Sequence, residues 1–144
     1  LNGRYRINNT VGKDMLKSMR LKEVGVRRMN SLSFEQGEIV VAPIPFASQV
    51  SAKIRSALVI STIDYNKTTD DIIVLKITSK AKDYPFDVEL LEKDIDSGKL
   101  KQESVIQVDF PVVIEKRTIS QSIGKISSKK LLEVKQKIKE FYQL

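Results

Sequence analysis

The chain has 144 residues and a formal net charge of +7, with 41% hydrophobic and 30% charged residues. This length and composition predict one folded domain, and no apolar run approaches the roughly 20 residues of a membrane span. The chain contains no His and no Cys, which excludes disulfides, zinc fingers and catalysis by an imidazole or a thiolate.

The excess positive charge belongs to the first part of the chain. Residues 1–28 carry a net charge of +6 and residues 29–144 only +1, so the overall charge does not by itself predict that the folded domain binds nucleic acid. Residues 1–28 are polar and poor in large apolar side chains, and we expect a flexible basic extension there, followed by a single domain over 29–144. The alternative is an electrostatic arm that assists nucleic-acid binding.

Two expectations concern metals and location. Acidic residues occur singly or in turns, without the spacing of a calcium loop, so we expect neither a metal nor a cofactor. The N-terminus shows no apolar signal-peptide core, which favours a cytoplasmic protein without membrane contact.

The predicted elements begin with a strand at Gly37–Ala42, where β-branched residues cluster. Pro43 and Pro45 lack an amide donor and are expected to end it, and Ala47–Ile54 is expected to be a polar loop. Two further apolar runs predict strands separated by a turn. These are Ala57–Ile63 and Ile72–Ile77, with the turn at Asn66–Asp71.

Shorter strands follow in the second half of the chain. Alternating apolar and polar residues predict a strand at Phe86–Leu90, and Asp96–Gly98 predicts a turn. Pro111 is expected to separate a strand at Ser104–Val108 from another at Val112–Ile114.

The last element is predicted to be a helix capped by Ser127 or Ser128. Apolar residues recur there at helical spacing, and lysines occupy the other face, where we expect them to be solvated. The apolar positions are Leu131, Val134, Ile138, Phe141 and Tyr142. Five or six short strands with one terminal helix predict a mainly β fold, a small and partly open barrel.

Five segments, taken in order, resemble the MazF/PemK-type toxins. They are Gly37–Val40, Arg55–Ser61, Ile77–Ser79, Ser104–Ile106 and Ile123–Ser127. The resemblance runs from about Gln36 to the C-terminus and leaves residues 1–28 outside it. It implies an SH3-like barrel with a C-terminal helix, a homodimer, metal-independent cleavage of single-stranded RNA such as mRNA, and a cognate acidic antitoxin.

The resemblance also implies site residues. Arg55 matches the family's catalytic arginine, and Thr78 matches its catalytic hydroxyl residue. Around this pair, Lys53, Ser79 and Lys80 are the expected RNA-binding residues.

Three departures from the family pattern affect this site. Ser56 stands where the family usually has a proline, so the exit from the preceding loop is expected to be less rigid. That loop lacks the glycines often found there. The Gln-Ile-Arg stretch with which the MazF branch grips RNA is replaced by Phe110, Pro111 and Val112, which favours the PemK-like branch.

The predicted chemistry needs no histidine. RNA can be cut when its own 2′-hydroxyl attacks the adjacent phosphorus, and the protein then supplies positioning and charge stabilisation. Arg55 suits this role because its guanidinium stays charged and binds two phosphate oxygens at once. Thr78 can donate a hydrogen bond to a phosphate oxygen or hold the 2′-hydroxyl in line.

Two other functions remain open from the sequence. CcdB toxins, a related barrel family, poison DNA gyrase through the end of the C-terminal helix, which here is Lys139–Leu144. The other alternative is a catalytically inactive barrel that binds protein or nucleic acid, which Ser56 and the unusual loop would favour if they misplace Arg55.

Overall fold

The computed structural model describes residues 33–48, 50–79 and 85–144. The predicted extension, residues 1–28, lies outside them, and the domain division stays a prediction. The strands are β1 (Glu38–Pro45), β2 (Ala52–Val59), β3 (Asp71–Thr78), β4 (Asp87–Leu90), β5 (Ile95–Gly98), β6 (Ser104–Glu115) and β7 (Gln121–Ile126). The helices are α1 (Ile63–Thr68) and α2 (Ser128–Tyr142), with 3₁₀ turns at Glu92–Asp94 and Lys116–Thr118.

The described strands form one sheet in the order β4-β6-β3-β2-β1-β7-β5. Every neighbouring pair is antiparallel. The two outermost strands, β4 and β5, do not pair with each other, so the sheet does not close. The prediction of a mainly β, partly open barrel with a C-terminal helix is therefore confirmed.

Both faces of the sheet bury apolar side chains because successive residues of a strand point to opposite sides. In β3, Leu75 and Ile77 belong to a core that α2 covers, which we call the helix-side core. Ile72 and Val74 belong to a second core on the other face. The second core also contains Ala42, Ile44, Ala57, Val59 and Ile114.

The expectation that prolines end the first strand is wrong. β1 continues through Pro43 and Pro45, which stand opposite Ile54 and Ala52 of β2. The pairing of β1 with β7 stops at Val41, so this part of β1 has a partner on one side only. A proline is tolerated there because its missing N–H removes no hydrogen bond to a second strand.

The loop between β1 and β2 is correspondingly shorter than the predicted Ala47–Ile54. β2 begins at Ala52, and a hydrogen bond of 3.0 Å from the Phe46 N–H to the Ser51 carbonyl oxygen closes the hairpin. β2 also ends earlier than predicted, at Val59. α1, which the sequence analysis missed, begins at Ile63 and includes the first three residues of the predicted turn at Asn66–Asp71.

The prediction of two strands separated by Pro111 is also wrong, because this proline too lies where the strand has a partner on one side only. β6 is one continuous strand of 12 residues. β4 pairs with it only up to Gln107, so Pro111 pairs with β3 alone and stands opposite Leu75.

The predicted turn at Asp96–Gly98 is instead part of the edge strand β5. Gly98 has a φ of 88° and stands opposite Gly124 of β7. A Cβ atom on Gly98 would lie 2.0 Å from the carbonyl oxygen of Ile123. Because Gly98 and Gly124 have no side chain, the two backbones can approach more closely than other residues would allow, and the segment pairs as a strand.

Helix α2 begins as predicted, with the Ser127 hydroxyl accepting a 3.0 Å hydrogen bond from the Lys130 N–H. Val134 is fully buried, whereas Tyr142 is 47% exposed, so the prediction that Tyr142 belongs to the apolar face is wrong. The expectation of a solvated lysine face is wrong at Lys130, which is buried. No helix in the described part of the chain is long and apolar enough to cross a membrane.

Asn66 ties α1 to the second core. It is 1% exposed, and its amide nitrogen donates to the carbonyl oxygens of Phe34 (2.7 Å) and Ser61 (3.1 Å). Its side-chain oxygen accepts from the Ser61 hydroxyl, which in turn accepts from the Ile73 N–H at 2.9 Å. This network satisfies backbone groups that the turn after β2 would otherwise bury without partners.

Replacing Asn66 with Ala should lower the free energy of unfolding by about 2 kcal/mol, because two buried carbonyl groups lose their donor. Urea denaturation followed by circular dichroism measures the effect. Thr68→Ala is the control in the same helix, since it removes an exposed hydroxyl, and its expected cost is below about 0.5 kcal/mol. Equal losses in the two variants would contradict the role of the network.

Candidate active site

Arg55 lies inside β2, where the ladder with β1 fixes its backbone opposite Ala42. Arg55 therefore does not follow directly on a loop, as the predicted loop at Ala47–Ile54 implied. The side chain is half-buried, and its Cζ lies 5.9 Å from the centre of the Phe46 ring, within the range of a cation–π contact. The hairpin between β1 and β2 thus supplies an aromatic support for the guanidinium.

Thr78 is the last residue of the neighbouring strand β3 and stands opposite Val105 of β6. The pairing between β2 and β3 extends to Ala57 and Lys76. Arg55 lies two residues before Ala57 in β2, and Thr78 lies two residues after Lys76 in β3, so both lie just beyond this last pair along their strands. Since side chains two residues apart share a face, Arg55, Lys76 and Thr78 lie on the same side of the sheet.

Lys76, which the sequence analysis missed, brings a second cation to this face. Its Nζ lies 4.2 Å from the centre of the Phe110 ring. Burial lowers the pKa of Lys76, and the positive charge of Arg55 lowers it further. The carboxylates of Asp109 and Asp87 act in the opposite direction and raise this pKa.

Asp87, also missed, begins β4 and stands opposite Gln107 of β6. Both carboxylate oxygens are shielded from solvent, and neither accepts a hydrogen bond from any residue that the structure describes. Burial raises the pKa of Asp87, and the negative charge of Asp109 raises it further, while Lys76 lowers it. A carboxylate without donors is unusual in a folded protein and suggests a functional site.

An irregularity in β6 brings these groups together. Between the pairs Leu75–Pro111 and Ile77–Ile106, β3 has one residue, Lys76, whereas β6 has four. Those four are Gln107, Val108, Asp109 and Phe110. β6 therefore bulges at this point, as strands often do beside active sites, and the ring of Phe110 in the bulge lies against the Lys76 ammonium. We call Arg55, Lys76, Thr78, Asp87 and Asp109 the polar cluster.

Two of the three predicted RNA-binding residues, Lys53 and Ser79, lie next to the polar cluster in sequence. Lys53 lies on β2, two residues before Arg55, and is exposed. Ser79 directly follows β3 and is exposed too. Lys80 lies outside the described residues. Among the described residues, no three acidic side chains gather in a way that could hold a metal ion.

The polar cluster has the chemistry of a site for a phosphodiester. Two cations and a hydroxyl can bind phosphate oxygens, and two carboxylates can accept protons or hydrogen bonds from sugar hydroxyls.

A profile of the family described as "PemK-like, MazF-like toxin of type II toxin-antitoxin system" matches residues 35–142. The chain belongs to this family. No curated protein sequence matches it.

Solved structures of MazF proteins and of an endoribonuclease share the fold of this chain. MazE-MazF from Deinococcus radiodurans (Form-III) is 26% identical with a TM-score of 0.63, over 78% of this chain and 98% of that one. A mycobacterial endoribonuclease in complex with its cognate antitoxin is 13% identical with a TM-score of 0.64, over 77% and 96%. Mycobacterium tuberculosis toxin MazF-mt6 is 17% identical with a TM-score of 0.58, over 73% and 97%.

The matched family includes both the PemK-like and the MazF-like toxins, so the closer relation to the PemK-like branch stays a prediction.

The replacement of the family proline by Ser56 does not loosen a loop in this chain. Ser56 lies within β2, opposite Val41 of β1, and the ladder with β1 holds this segment.

The sequence pattern contains an indication of two residues that the sequence analysis missed, Lys76 and Asp87. Lys76 interrupts an otherwise apolar run in β3, and a charge at such a position indicates a strand face that turns polar. Asp87 and Glu89 alternate with buried residues of β4 in the same way. Nothing in the sequence distinguishes these two acids, because the second carboxylate and the lysine come near Asp87 only through the bulge in β6 and the pairing of β4 and β3 with β6.

Proposed function

We propose that this MazF-like toxin is an endoribonuclease that cleaves single-stranded RNA, with Arg55 and Thr78 at the catalytic centre. The observation that carries the proposal is the arrangement of the polar cluster: Arg55 and Lys76 share one face of adjacent strands with Thr78. A cation pair beside a hydroxyl donor suits a phosphodiester whose negative charge increases in the transition state.

In the proposed reaction, the 2′-hydroxyl of the RNA attacks the adjacent phosphorus. The bond from phosphorus to the 5′-oxygen breaks, and the products are a 2′,3′-cyclic phosphate and a 5′-hydroxyl. Arg55 binds two non-bridging oxygens through its planar guanidinium. Thr78 donates a hydrogen bond to the same phosphate or orients the 2′-hydroxyl. The nucleophile comes from the substrate itself, so this reaction has no step for which a metal ion is required.

The proposal includes contacts with RNA outside the scissile phosphate. Lys53 and Ser79 are exposed next to Arg55 and Thr78 in sequence, and Lys80 follows directly. Lysines at such positions attract the phosphate backbone without reading the base sequence.

We also propose a homodimer in the cytoplasm and a cognate acidic antitoxin, whose tail covers the positive charges and occupies the RNA path. What supports the antitoxin is family membership and the two neighbouring structures whose names describe a complex, MazE-MazF from Deinococcus radiodurans and the mycobacterial endoribonuclease.

The decisive experiment incubates the purified protein with single-stranded RNA in excess EDTA. We expect cleavage, with a cyclic phosphate on the upstream fragment and a 5′-hydroxyl on the downstream fragment. After the site is mapped, an oligonucleotide with a single 2′-deoxy sugar at the scissile position should stay intact, because it lacks the nucleophile. Fragments with 5′-phosphates would contradict the mechanism. Intact RNA would contradict the activity, and binding to DNA gyrase would then favour the CcdB-like alternative.

A further inference from the structure

Asp87 is a group that the proposed roles of Arg55 and Thr78 leave unexplained. Both of its oxygens are shielded from solvent without a hydrogen-bond donor among the described residues. An ionised carboxylate in this condition is unfavourable for the folded protein. Its position beside Lys76, on the face that carries Arg55, suggests that RNA supplies the missing donor.

The charges that act on Asp87 and Lys76 come from each strand next to them. Asp87 on β4 interacts with Asp109 on β6 and with Lys76 on β3. Lys76 interacts with Arg55 on β2, and with Asp109 and Asp87. Burial is the main cause that raises the pKa of the Asp87 carboxyl and lowers the pKa of the Lys76 ammonium, and the neighbouring charges act in both directions. The net shifts make the carboxyl a better proton acceptor and the ammonium a better proton donor.

Other residues of the polar cluster are less suited to accept a proton. The guanidinium of Arg55 stays charged and has no acceptor atom. Thr78 carries only a hydroxyl, and the chain has no His. Asp109 is exposed, so its carboxylate is open to water. Asp87 is the carboxylate that is shielded from solvent and has no hydrogen-bond donor among the residues that the structure describes.

Building on the proposed RNA cleavage, we propose that Asp87 is the general base and Lys76 the general acid of this reaction. Asp87 takes the proton of the 2′-hydroxyl as the 2′-oxygen forms its bond to phosphorus. Lys76 gives a proton to the 5′-oxygen as the phosphorus–oxygen bond breaks. Asp87 then holds the substrate's proton and Lys76 is neutral, and exchange with water restores both. No oxidant, metal or cofactor takes part.

The proposal predicts a bell-shaped dependence of kcat/KM on pH. Activity rises with pH as Asp87 ionises, at a pH above the usual range of an aspartate because its pKa is raised. Activity falls again as Lys76 loses its proton, at a pH below the usual range of a lysine because its pKa is lowered. Asp109→Asn removes a negative charge that raises both pKa values, so the whole profile should move to lower pH.

The test uses the full chain and a mapped RNA oligonucleotide, and compares Asp87→Asn with Glu89→Gln. Glu89 is the exposed carboxylate two residues further along the same face of β4. We expect Asp87→Asn to lower kcat at least about 100-fold, the scale of losing a general base, and Glu89→Gln to stay within about twofold of the wild type. The melting temperature of Asp87→Asn should equal or exceed that of the wild type, because an unfavourable buried charge is removed.

A second substrate separates the two roles. In an oligonucleotide with sulfur in place of the 5′-oxygen at the scissile bond, the leaving thiolate needs no proton. Lys76→Met should therefore cleave ordinary RNA at least about 100-fold more slowly than the wild type, and regain most of its rate on the sulfur substrate. Asp87→Asn should stay slow on both, because the 2′-hydroxyl must still lose its proton.

The outcomes distinguish this inference from the proposed function. If the wild-type protein cuts RNA but Asp87→Asn cuts as fast as Glu89→Gln, Asp87 is not the base and only this inference fails. Loss of cleavage in Asp109→Asn with full cleavage in Asp87→Asn would assign the proton to Asp109 instead. A lower melting temperature in Asp87→Asn would indicate a structural role. If the wild-type protein leaves all RNA intact, the proposed function itself fails.

Discussion

Replacing Arg55 with Ala should slow RNA cleavage by about 100- to 1,000-fold, the usual cost of losing one donor that stabilises transition-state charge. The β1–β2 ladder fixes the backbone of Arg55, and the guanidinium lies against the Phe46 ring, so alanine removes a donor group whose position the fold defines. The effect should appear in kcat more than in KM, because the negative charge increases only as the 2′-oxygen attacks. Single-turnover cleavage of a mapped oligonucleotide measures it.

Arg55→Lys provides a stricter version of this test. It keeps the positive charge but loses the planar pair of donors, and we expect it to remain at least about tenfold slower than the wild type. Arg117→Ala is the matched control, because Arg117 is an exposed arginine whose guanidinium pairs with Glu115 at 2.7 Å outside the polar cluster. Equal rates for Arg55→Ala and Arg117→Ala would exclude Arg55 from catalysis.

The hydroxyl of Thr78 is tested by the pair Thr78→Ser and Thr78→Val in the same assay. Serine keeps the hydroxyl and should retain most of the activity, whereas valine keeps the shape and β-branching without the donor. A common rate in both variants would show that the hydroxyl has no part in the reaction.

Replacing Lys130 with Met should lower the free energy of unfolding by about 3 kcal/mol, because removing one partner of a buried pair leaves the other charge uncompensated. Lys130 is 8% exposed and Asp94 is 9% exposed. The Lys130 Nζ lies 3.5 Å from Asp94 Oδ2 and donates to the Glu89 carbonyl oxygen at 2.9 Å. The ammonium thus connects α2 to β4 and to the 3₁₀ turn. Urea denaturation measures the loss.

Three further variants test whether the loss comes from the pair of Lys130 and Asp94: Lys129→Met, Asp94→Asn, and the double variant of Lys130 and Asp94. Lys129→Met changes the neighbouring lysine, which is exposed, and should cost less than about 0.5 kcal/mol. In the double variant Lys130→Met with Asp94→Asn, the uncompensated charge is gone, so the combined loss should be smaller than the sum of the two single losses. Additive losses would indicate that the two side chains act independently.

The elements that could be predicted from the sequence depend on local patterns. The cap at Ser127 and the apolar positions of α2 follow from spacing within one helix, and β3 follows from a run of branched apolar residues; the structure has them close to the predicted bounds. The absence of His and Cys restricted any acid–base chemistry to arginine, lysine, carboxylates and hydroxyls.

The errors have a common cause, which is that the number of partners of each strand segment is a tertiary property. Pro43, Pro45 and Pro111 interrupt a strand only where it has hydrogen-bonded neighbours on both sides, and in this sheet those segments have one. Gly98 was predicted to lie in a turn because the sequence does not show that Gly124 lies opposite it. Lys130 was predicted to be solvated because its contacts with Asp94 and the Glu89 carbonyl group form only in the folded protein.

The sequence alone determined the mainly β fold class, the terminal helix and the choice of Arg55 and Thr78, the last through resemblance to a family. Only the tertiary structure brought Lys76, Asp87 and Asp109 to the same place, because the bulge in β6 and the order of β4, β6 and β3 unite residues far apart in the chain. The pKa values of these groups depend on burial and on one another's charges. A local pattern cannot specify such values, since they arise only when the strands are packed together.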